Sequence, residues 1–260
     1  MRVLSAEWLK TKRSAIRGIV FFIPLLFDAV LIWYITPRGV NDNTQLPAFR
    51  IFFEAWTASV VPLGAGILSG FLIHQEELAG SFGGILSSKV RRNKLYLGKF
   101  IFSVILMTIS TAIAVTVFAV GLKLILGFSI VWPIYLKSAI LTIMATIPLL
   151  AICLWVSWAW GMGASIGISI GGLLLAALMA TGLGDRVWQF IPWAWPVRLA
   201  ELPGVPLVRA KLPPVDVLYM YRFINRQIAM GLLASGICLA AVLIGGIIWF
   251  EHWEGRRYYE

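Results

Sequence analysis

Apolar positions gather into six long runs, at 18–36, 52–74, 100–122, 138–159, 161–182 and 227–250, separated by mostly short polar connections. Each run is close to the ~20 residues that a helix rising ~1.5 Å per residue needs to cross a ~30 Å hydrocarbon core. Little chain is left over. The pattern predicts an all-α integral membrane protein, one transmembrane domain over 1–260, with its chemistry in the connections and in the few polar groups inside the spans.

The connections have patterns of their own. Over 3–14, Leu4 and Trp8 stand four apart while Glu7, Lys10, Thr11 and Lys12 fall on other faces. This predicts an interfacial helix within an arm over 1–17, with Trp8 at headgroup depth and Lys10, Lys12 and Arg13 toward anionic lipid. Between the second and third runs the chain begins acidic at Glu76 and Glu77. It then passes Gly80, Gly83 and Gly84 and ends basic at Arg91, Arg92 and Lys94. The glycines permit a break after the second span. Ile85, Leu86 and Val90 then form one side of a short surface helix, and the basic residues suit its C-terminal end. Such a helix fits a docking knob for a partner protein; a charged loop that only fixes topology is the other reading of the same residues.

The 158–163 connection carries no charge and predicts a tight hairpin with its tryptophans at the interface. Gly163, Gly167 and Gly171 follow at intervals of four, a flat strip for close helix packing, with Gly66 and Gly70 a shorter example. Trp188, Trp193 and Trp195 lie among Pro192 and Pro196 in the long 183–226 connection. Proline breaks a continuous span and tryptophan favours the interface. The expectation is a re-entrant outer region of broken helices, then an extended proline-rich strap.

Composition narrows the classes. Sixty per cent hydrophobic with 13% charged residues excludes an ordinary soluble domain. The net charge of +10 is spread along the connections with no groove-reading motif, so nucleic acid is not an expected partner. Lysine and arginine concentrate on the arm, on the 75–99 connection and at the tail, which predicts a cytoplasmic location for both termini and for that connection. The 183–226 connection, with six basic residues on the predicted outer side, runs against this trend. The first run is too long for a signal-peptide core and is expected to be retained. Cys153 and Cys238 sit inside apolar runs and read as small buried hydrophobes.

Asp28 lies in the middle of the first run, where an aspartate costs on the order of 2.5–3.5 kcal/mol on insertion scales. It is expected to face the bundle interior, either contacting a cationic substrate or hydrogen-bonding a neighbouring helix. Glu54, near the outer end of the second run, can reach water. No phosphate-binding loop, His-Glu-x2-His pair or metal-spaced cysteine cluster is present, so no catalytic, cofactor or metal site is expected. If the protein moves a solute with ATP, a separate chain supplies the ATPase.

The segment 5–14, with its Glu7-x2-Lys10-x-Lys12-Arg13 start, resembles the permease subunits of ABC-2 type ATP-binding-cassette exporters. So does Glu76-Glu77-x2-Gly80 followed by Ile85-Leu86 and Arg91-Arg92, which is similar to the family's acid-then-glycine entry to a coupling helix. Lys89 departs from the pattern, standing near where many relatives have proline. The resemblance covers the whole chain. It implies six helices, ATPase contact through Glu76, Glu77, Gly80, Ile85, Leu86, Arg91 and Arg92, and ATP with magnesium on the partner ATPase.

The tryptophan-rich outer region and basic arm most resemble lantibiotic-immunity permeases. That resemblance implies two similar permeases with two ATPase copies in a Gram-positive plasma membrane. It also implies removal of a cationic amphipathic peptide, with Asp28, Trp188, Trp193 and Trp195 as candidate substrate-facing residues. An exporter of another amphiphile, such as a drug, a bacitracin-like peptide or a lipid, and a non-transporting scaffold or sensor stay open as alternatives.

Overall fold

A computed structural model describes residues 2–38, 45–80, 82–87, 90–211 and 214–255. Lys89 lies outside them, as do the side chains of Arg13, Ile85 and Leu86. Among the described residues there is no strand, and six helical rods are long and apolar enough to cross a membrane.

A short helix α1 (Arg2–Lys10) precedes the first span α2 (Ala15–Ile35). The second span is one rod made of α3 (Gln45–Ala55) and α4 (Val61–Leu78), joined by a π-helical turn at Trp56–Val60. Pro62 has no N–H to offer the preceding turn, and the widened turn sits just ahead of it. The Thr57 and Ser59 hydroxyls each donate to the carbonyl four residues back, at 2.5 Å, satisfying backbone acceptors there. One helical turn, α5 (Gly83–Leu86), leads to α6 (Arg92–Leu126), α7 (Trp132–Trp160) and α8 (Met162–Ala180). Gly127 in the left-handed conformation (φ +70°) closes α6, and Gly161 (φ +92°) alone separates α7 from α8.

The rods outrun the apolar windows. The third span begins at Arg92 and the sixth, α10 (Pro214–Glu251), begins well before residue 227. Hydropathy registers only the hydrocarbon layer, whereas the helices continue through the headgroup zone. Between α8 and α10, a turn at Gly182–Gly184, a turn at Trp188–Phe190 and the short α9 (Ala194–Glu201) form the broken outer helices. The expected extended strap differs: Leu202–Lys211 winds as a 3-10 helix. Proline's fixed φ suits that conformation as well as an extended one.

Spans two and four form the centre, with 67% of their most apolar windows buried, against 28% for α2 and α8 and 17% for the sixth span. The α4–α8 contact is made by small groups. Ser165 Oγ lies 3.0 Å from Gly66 O and 3.1 Å from Cys153 O, and Cys153 Sγ lies 3.4 Å from Ser169 Oγ. A Cβ on Gly66 would collide with Ser169 and with the Ser165 carbonyl. At mid-bundle Phe52 stacks on Phe118 at 4.2 Å, and Phe27 meets Trp56 edge-on at 5.2 Å.

Contacts fix which ends lie together. Lys99 near the start of α6 reaches Glu7 of α1, and Arg92 reaches the carbonyls of Glu251 and Trp253. Trp158, beside the α7–α8 turn, packs on Trp253. The amino-terminal helix, the elbow between α4 and α6, the α7–α8 turn and the end of α10 therefore share one end of the bundle. At the other end, Gln45 donates to Ser129 O across 2.9 Å, tying the start of the second span to the turn after α6.

Candidate functional site

A charge cluster is buried at the end that carries the arm. Lys99, 3% exposed, sits two turns into α6, where its aliphatic stem runs through the apolar zone. Its ammonium has three donors and meets three acceptors: Glu7 Oε2 at 2.9 Å, Glu76 Oε1 at 2.8 Å and Leu72 O at 3.3 Å. Lys10, at the water-facing edge, donates to the same Glu76 oxygen at 2.5 Å and to Glu7 Oε1 at 3.3 Å. Two cations and two anions thus join α1, α4 and α6 with no net charge. Burial alone would lower the Lys10 ammonium; its bond to Glu76 and the charges of Glu7 and Glu76 outweigh this and hold it above its ordinary value.

The arm is fastened a second time. Arg17 lies over the Trp8 ring at 4.4 Å and donates to Trp8 O at 2.5 Å, while Trp8 meets Phe102 edge-on at 6.3 Å. Trp8 keeps 40% of its surface exposed, and Lys12 is exposed beside it.

The elbow follows directly. Helix α4 ends at Leu78, and Gly80 adopts φ +119°, which its missing Cβ permits. Phe82 also has positive φ (+66°), a conformation that costs a bulky residue free energy and is held here by packing. Its ring is 3% exposed and lies 5.1 Å from Trp253 and 5.7 Å from Trp158. Phe250 stacks on Trp253 at 5.4 Å and meets Trp158 at 4.7 Å, completing an aromatic clamp from the ends of α7 and α10. Gly83 and Gly84 face out. The elbow is therefore braced through Glu76 on one side and gripped through Phe82 on the other.

The residues expected to meet a partner divide into two sets. Gly80 and Arg91 are exposed. Glu76 and Glu77 have side chains only 11% and 12% exposed: Glu76 holds the lysines, and Glu77 Oε2 lies 3.1 Å from His74 Nδ1. Arg92 turns inward, donating to Trp253 O at 2.7 Å and Glu251 O at 2.9 Å, and Asn93 Nδ2 donates to Glu251 Oε1 at 2.6 Å. The two Arg92 bonds occupy carbonyls that the end of α10 would otherwise leave open.

At the opposite end, Trp188 and Trp195 are buried, and Trp193 packs its indole against Gly172 of α8. Trp195 Nε1 donates to Gln189 O at 2.9 Å. These rings build the outer region, and Phe190 is the aromatic most displayed there, at 84% exposure. Arg198 locks the same region to α8, with Nε donating to Met179 O at 2.7 Å and Nη2 reaching Thr181 O at 2.5 Å and Asp185 at 2.9 Å. Beside it a cavity of about 380 Å³ opens between α3, α9 and α10, lined by Arg50, Arg198, Glu201, Gln227, Trp188 and Phe223 among others. Burial, with Glu54 adding to it, pushes the Glu201 carboxyl up to about 7, against the opposing pull of Arg50 and Arg198.

Asp28 is fully buried in the interior, and neither carboxylate oxygen has a hydrogen-bond partner among the described residues. Gly163, Gly167 and Gly171 all lie on the outward face of α8 with open space beyond them. Within the chain, the close approach on α8 falls to Ser165, Ser169 and Gly172 instead. Sequence reasoning assigned no role to Phe82 and read Lys99 only as an orientation signal. One available signal for Lys99 was its position directly before the apolar run 100–122.

A family profile described as ABC-2 family transporter protein matches residues 3–175, from α1 through most of α8. No curated protein and no solved structure matches the chain. The profile match includes the buried charge cluster, the elbow, the first four spans and most of the fifth. The chain belongs to the ABC-2 transporter family, as the membrane-spanning permease of an ABC transporter.

Proposed function

We propose that this permease works with a separate cassette ATPase to remove a cationic, lantibiotic-like peptide from the outer leaflet of a Gram-positive plasma membrane, giving self-protection or resistance. The single observation that carries the coupling half of this reading is the double anchorage of the elbow, through Glu76 to Lys99 and Lys10 and through Phe82 to Trp158 and Trp253. A push on the exposed Ala79, Gly80, Gly83 and Gly84 would reach α4 and α6 through the ion cluster and α7 and α10 through the aromatic clamp. Packed helices have discrete arrangements, so such a push favours a rigid-body tilt over local bending.

On this reading the arm and elbow lie in the cytosol. The basic residues Lys10, Lys12, Arg17, Arg91 and Arg92 at that end support it. ATP and magnesium belong to the ATPase chain, in two copies, and a second permease, identical or similar, completes the pore. On this reading the outer-leaflet substrate meets the 183–226 region, whose displayed surface among the described residues includes Phe190 and the charged cavity beside α9.

The test is co-expression with a cassette ATPase from the same operon in a peptide-sensitive Gram-positive host. Growth is then measured against a lantibiotic, a bacitracin-like peptide and a small amphiphilic drug. Protection against the lantibiotic that vanishes with an ATPase-dead partner supports the reading. Protection only against the drug or the bacitracin-like peptide replaces the substrate, and none with a well-assembled complex overturns it.

A further inference from the structure

We propose that the cavity between α3, α9 and α10 binds one primary ammonium group of an amphiphile, with the Glu201 carboxylate and Gln227 Oε1 receiving its protons. Two acceptors on different helices line one space and lack partners. Gln227 Oε1 is buried with no hydrogen bond, and Glu201 forms none and no ion pair among the described residues. A buried acceptor left open costs free energy that a ligand donor recovers. An ammonium offers three donors and a positive charge, which suits a carboxylate and an amide oxygen together.

The other polar groups narrow the ligand. Arg198 has its guanidinium committed to Met179 O, Thr181 O and Asp185. It is thus a fixed part of the wall. Arg50 is exposed and lies at the rim. Asp185, whose carboxylate also lines the cavity, is paired with Arg198, and a second ligand cation beside Arg50 would be repelled, so the cavity takes a single ammonium and not a run of them. Trp188 and Phe223 supply an apolar wall for the carbon chain next to the amine. Burial and Glu54 raise the Glu201 carboxyl against the pull of Arg50 and Arg198, which agrees with an acid that no direct ion pair holds. The choice of a peptide lysine or amino terminus as the source rests on the export reading above; the ammonium chemistry does not.

The experiment uses the full chain in phosphatidylcholine nanodiscs, which present no primary amine. The probe is a fluorescent amphipathic peptide with blocked termini and one lysine, compared at pH 8 with the same peptide acetylated at that lysine. Empty discs correct for partitioning. Wild type is expected to bind the free-lysine peptide on the order of tenfold tighter, the range of a hydrogen bond to a charged group. Glu201→Gln and Gln227→Leu should each lose most of that preference, and Glu201→Asp should keep part of it. Equal binding of both peptides by wild type, or an undiminished preference in Glu201→Gln, overturns the proposal. If phosphatidylethanolamine in the disc abolishes the preference in wild type, the pocket chemistry stands and a lipid amine is its source. A preserved preference with no peptide protection in cells defeats the export reading alone.

Discussion

Lys99 and Glu7 lie 92 positions apart and meet at 2.9 Å with side chains only 4% and 7% exposed. The contact turns a short basic arm into a strut against α6. An isolated nine-residue helix is marginal in water, so tertiary contacts, this buried one among them, hold α1 in place. Removing one partner of a buried pair leaves the other charge uncompensated, which costs roughly 3–5 kcal/mol. Lys99→Met should therefore lower thermal stability sharply in detergent. Lys99→Met combined with Glu7→Gln, which restores neutrality with Lys10 and Glu76, should recover a substantial part of the loss. Additive losses in the double variant would show that the two residues do not act as a pair.

Phe82 gives the second prediction, and it concerns coupling. Phe82→Ala removes a ring from the aromatic clamp, and substitutions of this kind in cores cost about 3–5 kcal/mol. Here the ring sits on a short turn, so much of that loss should appear as local freedom of the elbow and less as global unfolding. The expected outcome is a permease that still assembles with its ATPase but no longer changes the hydrolysis rate. Phe82→Leu, which keeps an apolar filling between Trp158 and Trp253, should retain part of the response. ATPase stimulation in Phe82→Ala equal to wild type would remove the clamp from the coupling path.

The glycines of α8 and α4 divide into two groups that a simple spacing rule treats alike. A Cβ on Gly66 would stand 2.6 Å from Ser165 O, too close to exist without displacement, whereas one on Gly167 meets nothing within 4 Å. Gly66→Ala should cost about 1–3 kcal/mol through overpacking. Gly167→Ala should be neutral or stabilising by about 0.5–1 kcal/mol in the single permease, because alanine is the better helix former. If a second permease packs on the outward strip, the same change should weaken dimerisation in a single-molecule or cross-linking assay.

The six spans and their approximate centres could be read from hydropathy because an apolar run is a property of each segment alone. The reach of each helix beyond the lipid could not: Arg92 and Lys99, for example, belong to the first two turns of α6, whose polar residues lower the average. Orientation within a span was less legible still. Gly163 and Ser165 are two residues apart and face opposite ways, and only the partner helix decides which strip is used. The acidic start of the elbow was visible, but not that Glu76 turns inward, because its two lysines come from positions 66 and 23 residues away. The cavity at Glu201 joins α3, α9 and α10, and no local pattern links those three segments.

Glu201 supplies a pH prediction whose sign can be worked out. Its carboxyl titrates near 7 in the folded chain against about 4.5 when free, raised first by burial and then by Glu54 on α3. Arg50 on α3 and Arg198 on α9 oppose the rise, while Gln227 and Phe223 bring no charge from α10. Between those two values the folded state binds more protons than the unfolded state, so this group's contribution to stability falls as pH rises from 4.5 to 7. Below 4.5 both states are protonated and no penalty arises; above 7 the full penalty is present. Glu201→Gln should accordingly raise the melting temperature relative to wild type at pH 8 and leave it nearly unchanged at pH 4.5. Amine binding should move the other way, strengthening as pH climbs through 7 and the carboxylate appears. A wild-type amine affinity that is flat from pH 6 to 8, in a protein whose fold is intact across that range, would show that Glu201 does not carry the charge that the ligand meets.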